Sequence, residues 1–178
     1  GLEPDLVLGD FDSVKCGQLA RIAEWEAKSP ERVIRLKPEK DDTDTLAAIR
    51  LALERGYRDF VFYGAVGGRR LEHTVANIQC LLFLRHRGAV GYLVDKAGVC
   101  FVMEDEEMRF PPSMEGYLSL FSLKGEALGV DIRGMKYELD NARITNDFPI
   151  GISNEFMGKE AVVGVRQGQL LGIVTYPC

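Results

Sequence analysis

The sequence predicts a mixed fold, an α/β half with a parallel sheet followed by an antiparallel all-β half, because the hydrophobic period changes near residue 96. Before that point, short apolar runs alternate with helical patterns. The predicted strands of this half are residues 6–8, 33–36, 60–63 and 90–94, and the predicted helices are residues 15–27, 43–55 and 71–87. Strands separated by helices of this length imply right-handed crossovers and a parallel sheet.

Two of the helices are supported by apolar residues at i, i+3 and i+7, which is the spacing of one helical face. These residues are Leu46, Ile49 and Leu53 in the first helix and Val75, Ile78 and Leu82 in the second. Asp42 or Thr43 is expected to cap the first of these helices at its N-terminus.

After residue 96 only short strands are predicted, and Gly, Pro and Asn-Asp turns separate them. They comprise residues 99–103, 117–123, 130–132, 135–139, 161–165 and 170–176. The acidic run 104–107 is expected to be a solvated loop. Because this half is typical of an antiparallel sandwich or barrel, we predict two domains, residues 1–95 and 96–178.

Composition limits the classes of partner. The 178 residues are 46% hydrophobic, carry a formal net charge of -5 and show no basic stripe, so a nucleic-acid partner is not expected. No apolar stretch reaches the length that spans a membrane, so no membrane partner is expected either. The four cysteines show no metal-binding spacing, and reduced thiols in a cytoplasmic protein are the simplest interpretation.

The first strand runs into the acidic turn Gly9-Asp10-Phe11-Asp12-Ser13. Two carboxylates two residues apart at the end of a strand can point into one crevice, and the crevice beyond the carboxyl ends of parallel strands is where α/β sheets bind ligands. Acidic sites rich in oxygen suit Mg²⁺, which is often shared with substrate phosphates. The alternative is a solvated turn that caps the next helix.

Two further loops follow predicted strands, at residues 37–44 and 64–70, and all three loops are expected at one edge of the sheet. The first of the two is rich in Asp and Lys, and the second is rich in Gly and Arg. Glycines let backbone N–H groups approach a phosphate, and Arg offers a fork that matches phosphate oxygens. Each loop alone is also compatible with an ordinary turn or with acidic residues that favour a helix dipole. Together they favour phosphoryl-type transfer.

Two pairs of polar residues complete the candidates. His73 and Asn77 lie four apart on one helical face, where a capping and packing pair is the alternative to a ligand site. Ser153 and Asn154 can hydrogen-bond a ligand, and they can equally belong to an ordinary turn between strands.

Taken together, these stretches resemble the bacterial type of thiamine pyrophosphokinase (thiamine diphosphokinase). The resemblance runs in order from residue 4 to the end of the chain. Its motifs are Pro4-Asp5-Leu6-Val7-Leu8-Gly9-Asp10-Phe11-Asp12-Ser13, Glu39-Lys40-Asp41-Asp42-Thr43-Asp44, Gly67-Gly68-Arg69-Arg70-Leu71-Glu72-His73-Thr74-Val75-Ala76-Asn77-Ile78, Gly134-Met135-Lys136-Tyr137 and Gly151-Ile152-Ser153-Asn154-Glu155-Phe156.

The resemblance implies transfer of a whole pyrophosphoryl group from ATP to the hydroxyl of thiamine, giving thiamine diphosphate and AMP. It also implies a Rossmann-like catalytic domain, a β-sandwich domain that binds thiamine, and a homodimer with active sites shared between chains. By motif position, Asp10, Asp12 and Asp44 are expected to hold Mg²⁺ and to be catalytic together with Arg70 and Glu72.

The remaining site residues are also implied by motif position. Lys40, Thr43 and Arg70 are expected to contact the nucleotide phosphates. The other nucleotide-binding residues expected are Gly67, Gly68, His73 and Asn77. Ser153 and Asn154 are expected to contact thiamine.

The chain departs from the family pattern in two places. Glu72 stands where the family usually has Asp before His73, and it is one methylene longer. The strand and Asp-Gly-Gly turn with which the family begins do not precede Gly1. We therefore expect the chain to be a fragment or an ordered part of a longer protein, less stable and less active than a version extended at its N-terminus.

Three other functions fit parts of the sequence. A phosphohydrolase of the haloacid dehalogenase type also has Asp-x-Asp after a strand, but it needs a later Lys and an acidic pair on the same sheet. A related diphosphokinase acting on a hydroxymethylpterin would share the catalytic half and differ in the second domain. A nucleotide-binding remnant without activity is the third alternative.

Overall fold

The fold, described from a computed structural model, is mixed α/β. The structure describes residues 3–12, 14, 16–37 and 42–177. The chain divides into two compact units, residues 1–57 and 58–178. None of the helices in the described residues has the length and apolar character needed to cross a membrane.

In its described residues, the first unit contains one pair of parallel strands and two α-helices. Its elements are β1 (Val7–Gly9), α1 (Cys16–Lys28), a short 3-10 helix (Pro30–Arg32), β2 (Val33–Arg35) and α2 (Asp44–Glu54). Val7 lies opposite Val33 in the parallel pair. The hydroxyl oxygen of Thr43 accepts a hydrogen bond from the backbone N–H of Leu46 at 3.2 Å, so Thr43 is the N-cap of α2.

The second unit contains two sheets and one α-helix. Its elements are β3 (Asp59–Tyr63), α3 (Leu71–Arg85), β4 (Val90–Asp95), β5 (Gly98–Glu104), β6 (Glu107–Phe110), β7 (Tyr117–Ser122), β8 (Glu126–Arg133), β9 (Leu139–Thr145), β10 (Asn154–Glu155), β11 (Ala161–Gln167) and β12 (Gln169–Thr175). The six-stranded sheet has the order β10-β7-β12-β5-β4-β3, and the four-stranded sheet has the order β6-β11-β8-β9.

The core of the second unit lies on both faces of the six-stranded sheet. On one face, side chains from the two sheets form a single cluster, which includes Phe101, Met103, Leu118, Leu120, Val130, Ile132, Val163 and Leu170. On the other face, Leu81 of α3 packs with Leu93, Cys100, Val102 and Leu171. Alternate residues of β5 therefore face α3 and the four-stranded sheet, which explains its nearly continuous apolar sequence.

The strand pairing differs from the expected single parallel sheet. Among the described residues, β1 pairs with β2, whereas β3 pairs in parallel with β4 inside the six-stranded sheet. A tight turn in which the backbone N–H of Ala97 donates to Asp95 at 2.6 Å joins β4 to β5, and the two strands pair antiparallel. The sheet therefore continues across residue 96, and a functional division of the chain at that point stays a prediction.

Two local predictions in the second half are wrong. The segment predicted as a strand at 135–139 makes one isolated bridge, between Met135 and Phe156, and the strand begins at Leu139. The acidic run predicted as a loop is a loop only at Asp105 and Glu106, because Glu104 ends β5 and Glu107 begins β6, which pairs with β11 and buries Phe110 in the core. Burial of a few apolar side chains outweighs the charges on the exposed side of this short strand.

Candidate functional site

The acidic turn of the first unit is held by its own carboxylate. The backbone N–H of Asp12 donates to Oδ1 of Asp10 at 3.2 Å, and Phe11 between them has a φ of 62°. A left-handed backbone at an aromatic residue is strained, and such strain persists where the surroundings determine the conformation. The guanidinium of Arg35 lies 5.1 Å from the centre of the Phe11 ring. Ser13 lies outside the described residues.

Asp44 of α2 lies beside the same turn. A Cβ atom at Gly9 would be 3.2 Å from Oδ2 of Asp44, so glycine is what lets this carboxylate approach the end of β1. Asp10 and Asp44 line one cavity of about 360 Å³, whose walls also include Phe11, Arg21 and Trp25. Two of the three predicted metal ligands therefore meet at one cavity inside the first unit.

The structure leaves the predicted metal site incomplete. Asp12 is exposed at the turn, and within the described part of the chain no three His, Cys, Asp or Glu side chains are grouped so as to hold a metal ion. Paired carboxylates at one cavity nevertheless offer the oxygen ligands that Mg²⁺ prefers.

The second predicted loop is described only at Lys37 and from Asp42 onward. Lys40 and Asp41 lie outside the described residues. Asp42 forms an ion pair with Arg50 of α2 at 2.7 Å. The hydroxyl oxygen of Thr43 is engaged in the helix cap, so this residue has a structural role whatever else it contacts.

The glycine-rich loop between β3 and α3 takes its shape from α3. Gly67 and Gly68 have φ values of 77° and 82°, which favour glycine. The hydroxyl of Thr74 accepts from the backbone N–H of Gly67 at 3.1 Å, and the side-chain amide of Asn77 donates to the carbonyl of Ala65 at 2.8 Å. Asn77 is buried, so its observed role is to hold this loop.

Arg70 and Glu72 form an exposed ion pair at the start of α3. Nε of Arg70 lies 2.6 Å from Oε1 of Glu72, and their side chains are 71% and 65% exposed. The hydrogen bond from Arg70 is the main cause that lowers the pKa of Glu72, helped by a backbone hydrogen bond at Glu72. His73 is exposed on the next position of the helix. Glu72 is therefore in direct contact with the guanidinium of Arg70.

Ser153 and Asn154 differ in their surroundings. Asn154 is 5% exposed, and its amide makes two hydrogen bonds with the backbone of Tyr137. Oδ1 accepts from the N–H of Tyr137 at 2.9 Å, and Nδ2 donates to its carbonyl at 2.6 Å. Ser153 is exposed with a φ of 55°, and its N–H donates to the hydroxyl of Ser119 at 3.1 Å. Ser153 therefore faces solvent from a strained, anchored backbone.

The segment that Asn154 binds carries two exposed side chains, those of Lys136 and Tyr137. Lys136 forms an ion pair with Glu155 at 2.6 Å, which raises the pKa of the lysine, and its ammonium lies 5.9 Å from the centre of the Tyr137 ring. Tyr137 is 63% exposed although its backbone is fixed. An exposed aromatic ring on a rigid backbone is a surface that a flat ligand can contact at low entropic cost.

Sequence reasoning did not single out Thr74, Tyr137 or Trp25 as site residues. Thr74 and Asn77 lie at i and i+3, a spacing that places two polar side chains on the same face of a helix, and this spacing was a usable signal. The contact between Asn154 and Tyr137 joins residues 17 apart, and no local pattern in the sequence reveals it.

Comparison with known proteins identifies the family. Residues 1–91 match the family model described as thiamin pyrophosphokinase, catalytic domain, and residues 104–170 match the one described as thiamin pyrophosphokinase, vitamin B1 binding domain. A thiamine pyrophosphokinase from Bacillus subtilis (strain 168) is 28% identical over 181 residues, which is 97% of this chain and 79% of the relative.

Solved structures give the same result. The crystal structure of thiamine pyrophosphokinase from Bacillus subtilis superimposes with a TM-score of 0.88 at 27% identity, covering 100% of this chain and 81% of that one. The enzyme from Geobacillus thermodenitrificans gives 0.82 at 26%, covering 99% and 80%. A thiamin pyrophosphokinase from Candida albicans gives 0.81 at 15% identity, over 99% of this chain and 74% of that one, which shows the shared fold alone. The chain therefore belongs to the thiamin pyrophosphokinase family.

Proposed function

We propose that this chain transfers the pyrophosphoryl group of ATP to the hydroxyl of thiamine, giving thiamine diphosphate and AMP. The main structural support for this proposal is that Asp10 and Asp44 line the same cavity of the first unit. In the reaction, the thiamine oxygen forms a bond to the β-phosphorus of ATP, and the bond from that phosphorus to the oxygen bridging it to the α-phosphorus breaks. AMP is the leaving group.

Asp10, Asp12 and Asp44 hold Mg²⁺ in this proposal. Mg²⁺ held by these carboxylates would supply positive charge to offset the negative charge that develops on the leaving AMP. The support is that Asp10 and Asp44 line the same cavity and that Asp12 is exposed in the turn that Asp10 holds. Other ligand positions would be filled by water and phosphate oxygens, as is usual for Mg²⁺.

Each unit carries residues that we propose, by motif position, as contacts for the phosphate chain. Lys40 and Thr43 supply contacts from the second loop, and Arg70 supplies the guanidinium fork, held through its Nε by Glu72. Gly67 and Gly68 let the backbone approach the phosphates, and His73 and Asn77 complete this end of the site. Most of the rate enhancement comes from positioning and electrostatics, because phosphoryl-type transfer leaves little covalent chemistry to the protein.

Ser153 and Asn154 form the thiamine end of the site. Ser153 provides an exposed hydroxyl on a strained backbone, which is typical of a ligand contact. Asn154 contributes by fixing Tyr137, whose exposed ring offers a flat apolar surface to the rings of thiamine. Because this end of the chain matches a vitamin B1 binding domain, thiamine is favoured over a hydroxymethylpterin. The family match also disfavours a phosphohydrolase of the haloacid dehalogenase type.

The proposal extends to the domain architecture, the oligomeric state and the cellular location of the protein. A Rossmann-like catalytic domain (1–95) and a β-sandwich domain (96–178) act together, and a homodimer shares its active sites. Exposed apolar side chains near Ser153 support contact with a second copy, namely those of Tyr117, Tyr137, Ile152 and Met157. Unpaired thiols at Cys16, Cys80 and Cys100 suit a reducing, cytoplasmic location.

The test of the function is an assay for AMP release in the presence of Mg²⁺ and ATP, with thiamine present and then omitted. The proposal predicts AMP only when thiamine is present, because the substrate hydroxyl is the nucleophile. Release of free phosphate without thiamine would identify a phosphohydrolase, and AMP release that responds to a hydroxymethylpterin instead of thiamine would identify the related diphosphokinase.

Substitution of Asn for Asp10 or Asp12 tests the acidic site. Either variant is expected to lose about 100-fold or more in kcat, the size typical of losing one preorganised electrostatic group. The amide oxygen of Asp10→Asn keeps the acceptor for the N–H of Asp12, so the turn is preserved. Asp5→Asn, an exposed acid in the same unit, is the control and keeps normal activity. Near-normal turnover in either site variant would remove that residue from the mechanism.

Substitution of Ala for Asn154 tests the thiamine end. The backbone N–H and C=O of Tyr137 lose their side-chain partners, a loss of about 1–3 kcal/mol, and calorimetry is expected to show weaker thiamine binding with ATP binding little changed. The exposed Asn146→Ala is the matched control. An equal loss of affinity for both ligands would indicate general misfolding and contradict a role for Asn154 at the thiamine end.

A further inference from the structure

The glycine-rich loop at residues 64–70 does not hold its shape by its own side chains. Gly64, Gly67 and Gly68 all have positive φ values, and apart from the adjoining residues of the chain no heavy atom lies within 4 Å of where a Cβ would stand at any of them. Glycine has more conformational freedom to lose than any other residue, so a loop of this composition needs external contacts to keep one conformation.

Those contacts come from one face of α3. Thr74 Oγ1 accepts from the N–H of Gly67 at 3.1 Å and lies 3.5 Å from the carbonyl oxygen of the same residue. One turn later, Nδ2 of Asn77 donates to the carbonyl of Ala65 at 2.8 Å. The bond from Asn77 to Ala65 is partly buried, so water competes weakly for it, whereas the bond between Gly67 and Thr74 is exposed to solvent.

We infer that Thr74 is a positioning residue, which together with Asn77 fixes the glycine-rich loop in the conformation that receives the nucleotide phosphates. The inference rests on the proposed function, because it takes ATP as the ligand of this loop. It also assigns different roles to Gly67 and Gly68. The N–H of Gly67 is bonded to Thr74, so Gly68 is the glycine whose N–H we assign to a phosphate oxygen.

Isosteric substitution at Thr74 separates this role from simple packing. Thr74→Val keeps the shape and removes the hydroxyl, whereas Thr74→Ser keeps the hydroxyl. The matched control is Thr145→Val, because Thr145 is also half-buried and its hydroxyl is hydrogen-bonded, to Asp147. Two measurements are made on each variant of the full chain. They are amide hydrogen exchange across residues 60–72 and the Kd for ATP with Mg²⁺ in the absence of thiamine.

Thr74→Val is expected to speed exchange at Gly67 and to raise the Kd for ATP by about three- to tenfold, the loss equivalent to one hydrogen bond. The KM for thiamine and the exchange of the β12 amides stay at wild-type values. Thr74→Ser restores both the exchange rate and the ATP affinity. Thr145→Val leaves both unchanged.

Three results would overturn the inference. Unchanged exchange at Gly67 in Thr74→Val would show that the hydroxyl does not hold the loop. Faster exchange with unchanged ATP affinity would show that the loop does not serve the nucleotide. Failure of Thr74→Ser to restore either property would assign the effect to packing. If the wild-type chain binds no ATP, both the proposed function and the nucleotide-binding part of the inference are wrong. Hydrogen exchange at Gly67 then tests by itself whether Thr74 holds the loop.

Discussion

Two buried asparagine amides, those of Asn77 and Asn154, fix the backbone of the segments that carry the candidate site in the second unit. Asn77 binds the carbonyl of Ala65, and Asn154 binds both the N–H and the carbonyl of Tyr137. Burying an amide without hydrogen-bond partners costs free energy of folding. Each asparagine side chain and the backbone groups that it binds are therefore held in fixed relative positions. The positions of the exposed side chains next to these asparagines, including Tyr137 and Ser153, depend on these hydrogen bonds.

The anchors are effective because the elements that carry them belong to the core. Asn154 lies opposite Leu118 of β7, and β7 pairs with β12 through the centre of the six-stranded sheet. Asn77 lies on α3, where Leu81 and Leu84 are fully buried. Placing binding groups on loops held by a packed frame is a common solution, since the frame supplies the rigidity that a loop lacks.

Much of the local structure could be predicted from the sequence, because apolar periodicity is a local property. The helices α2 and α3 fall within two residues of the expected bounds, and Thr43 is one of the two residues expected at the cap. The continuation of the sheet from β4 through β5 to β12 could not be predicted, since the pairing of β5 with β12 depends on contacts distant in sequence. The strand expected at 135–139 was wrong for a related reason, because Asn154 and Phe156 bind this segment locally in place of a ladder.

The candidate site was predictable to a similar extent. The acidic motif at Asp10 and the first turn of α2 at Asp44 were recognised from their positions after strands, and the structure places both at one cavity. The roles of Asn77 and Asn154 as backbone anchors were not predictable, because a polar residue in a motif has the same appearance whether it binds a ligand or the chain. The family match supplies the chemistry that composition alone leaves open.

The central chemical claim is that the pyrophosphoryl group moves as one unit, and phosphorus NMR of a single reaction mixture tests it directly. With Mg²⁺, ATP and thiamine, the wild-type chain is predicted to accumulate AMP and thiamine diphosphate in equal amounts, with resonances for two coupled phosphates on the thiamine product. Accumulation of ADP together with thiamine monophosphate would contradict the account, because it would mean that a single phosphoryl group is transferred from the γ-position.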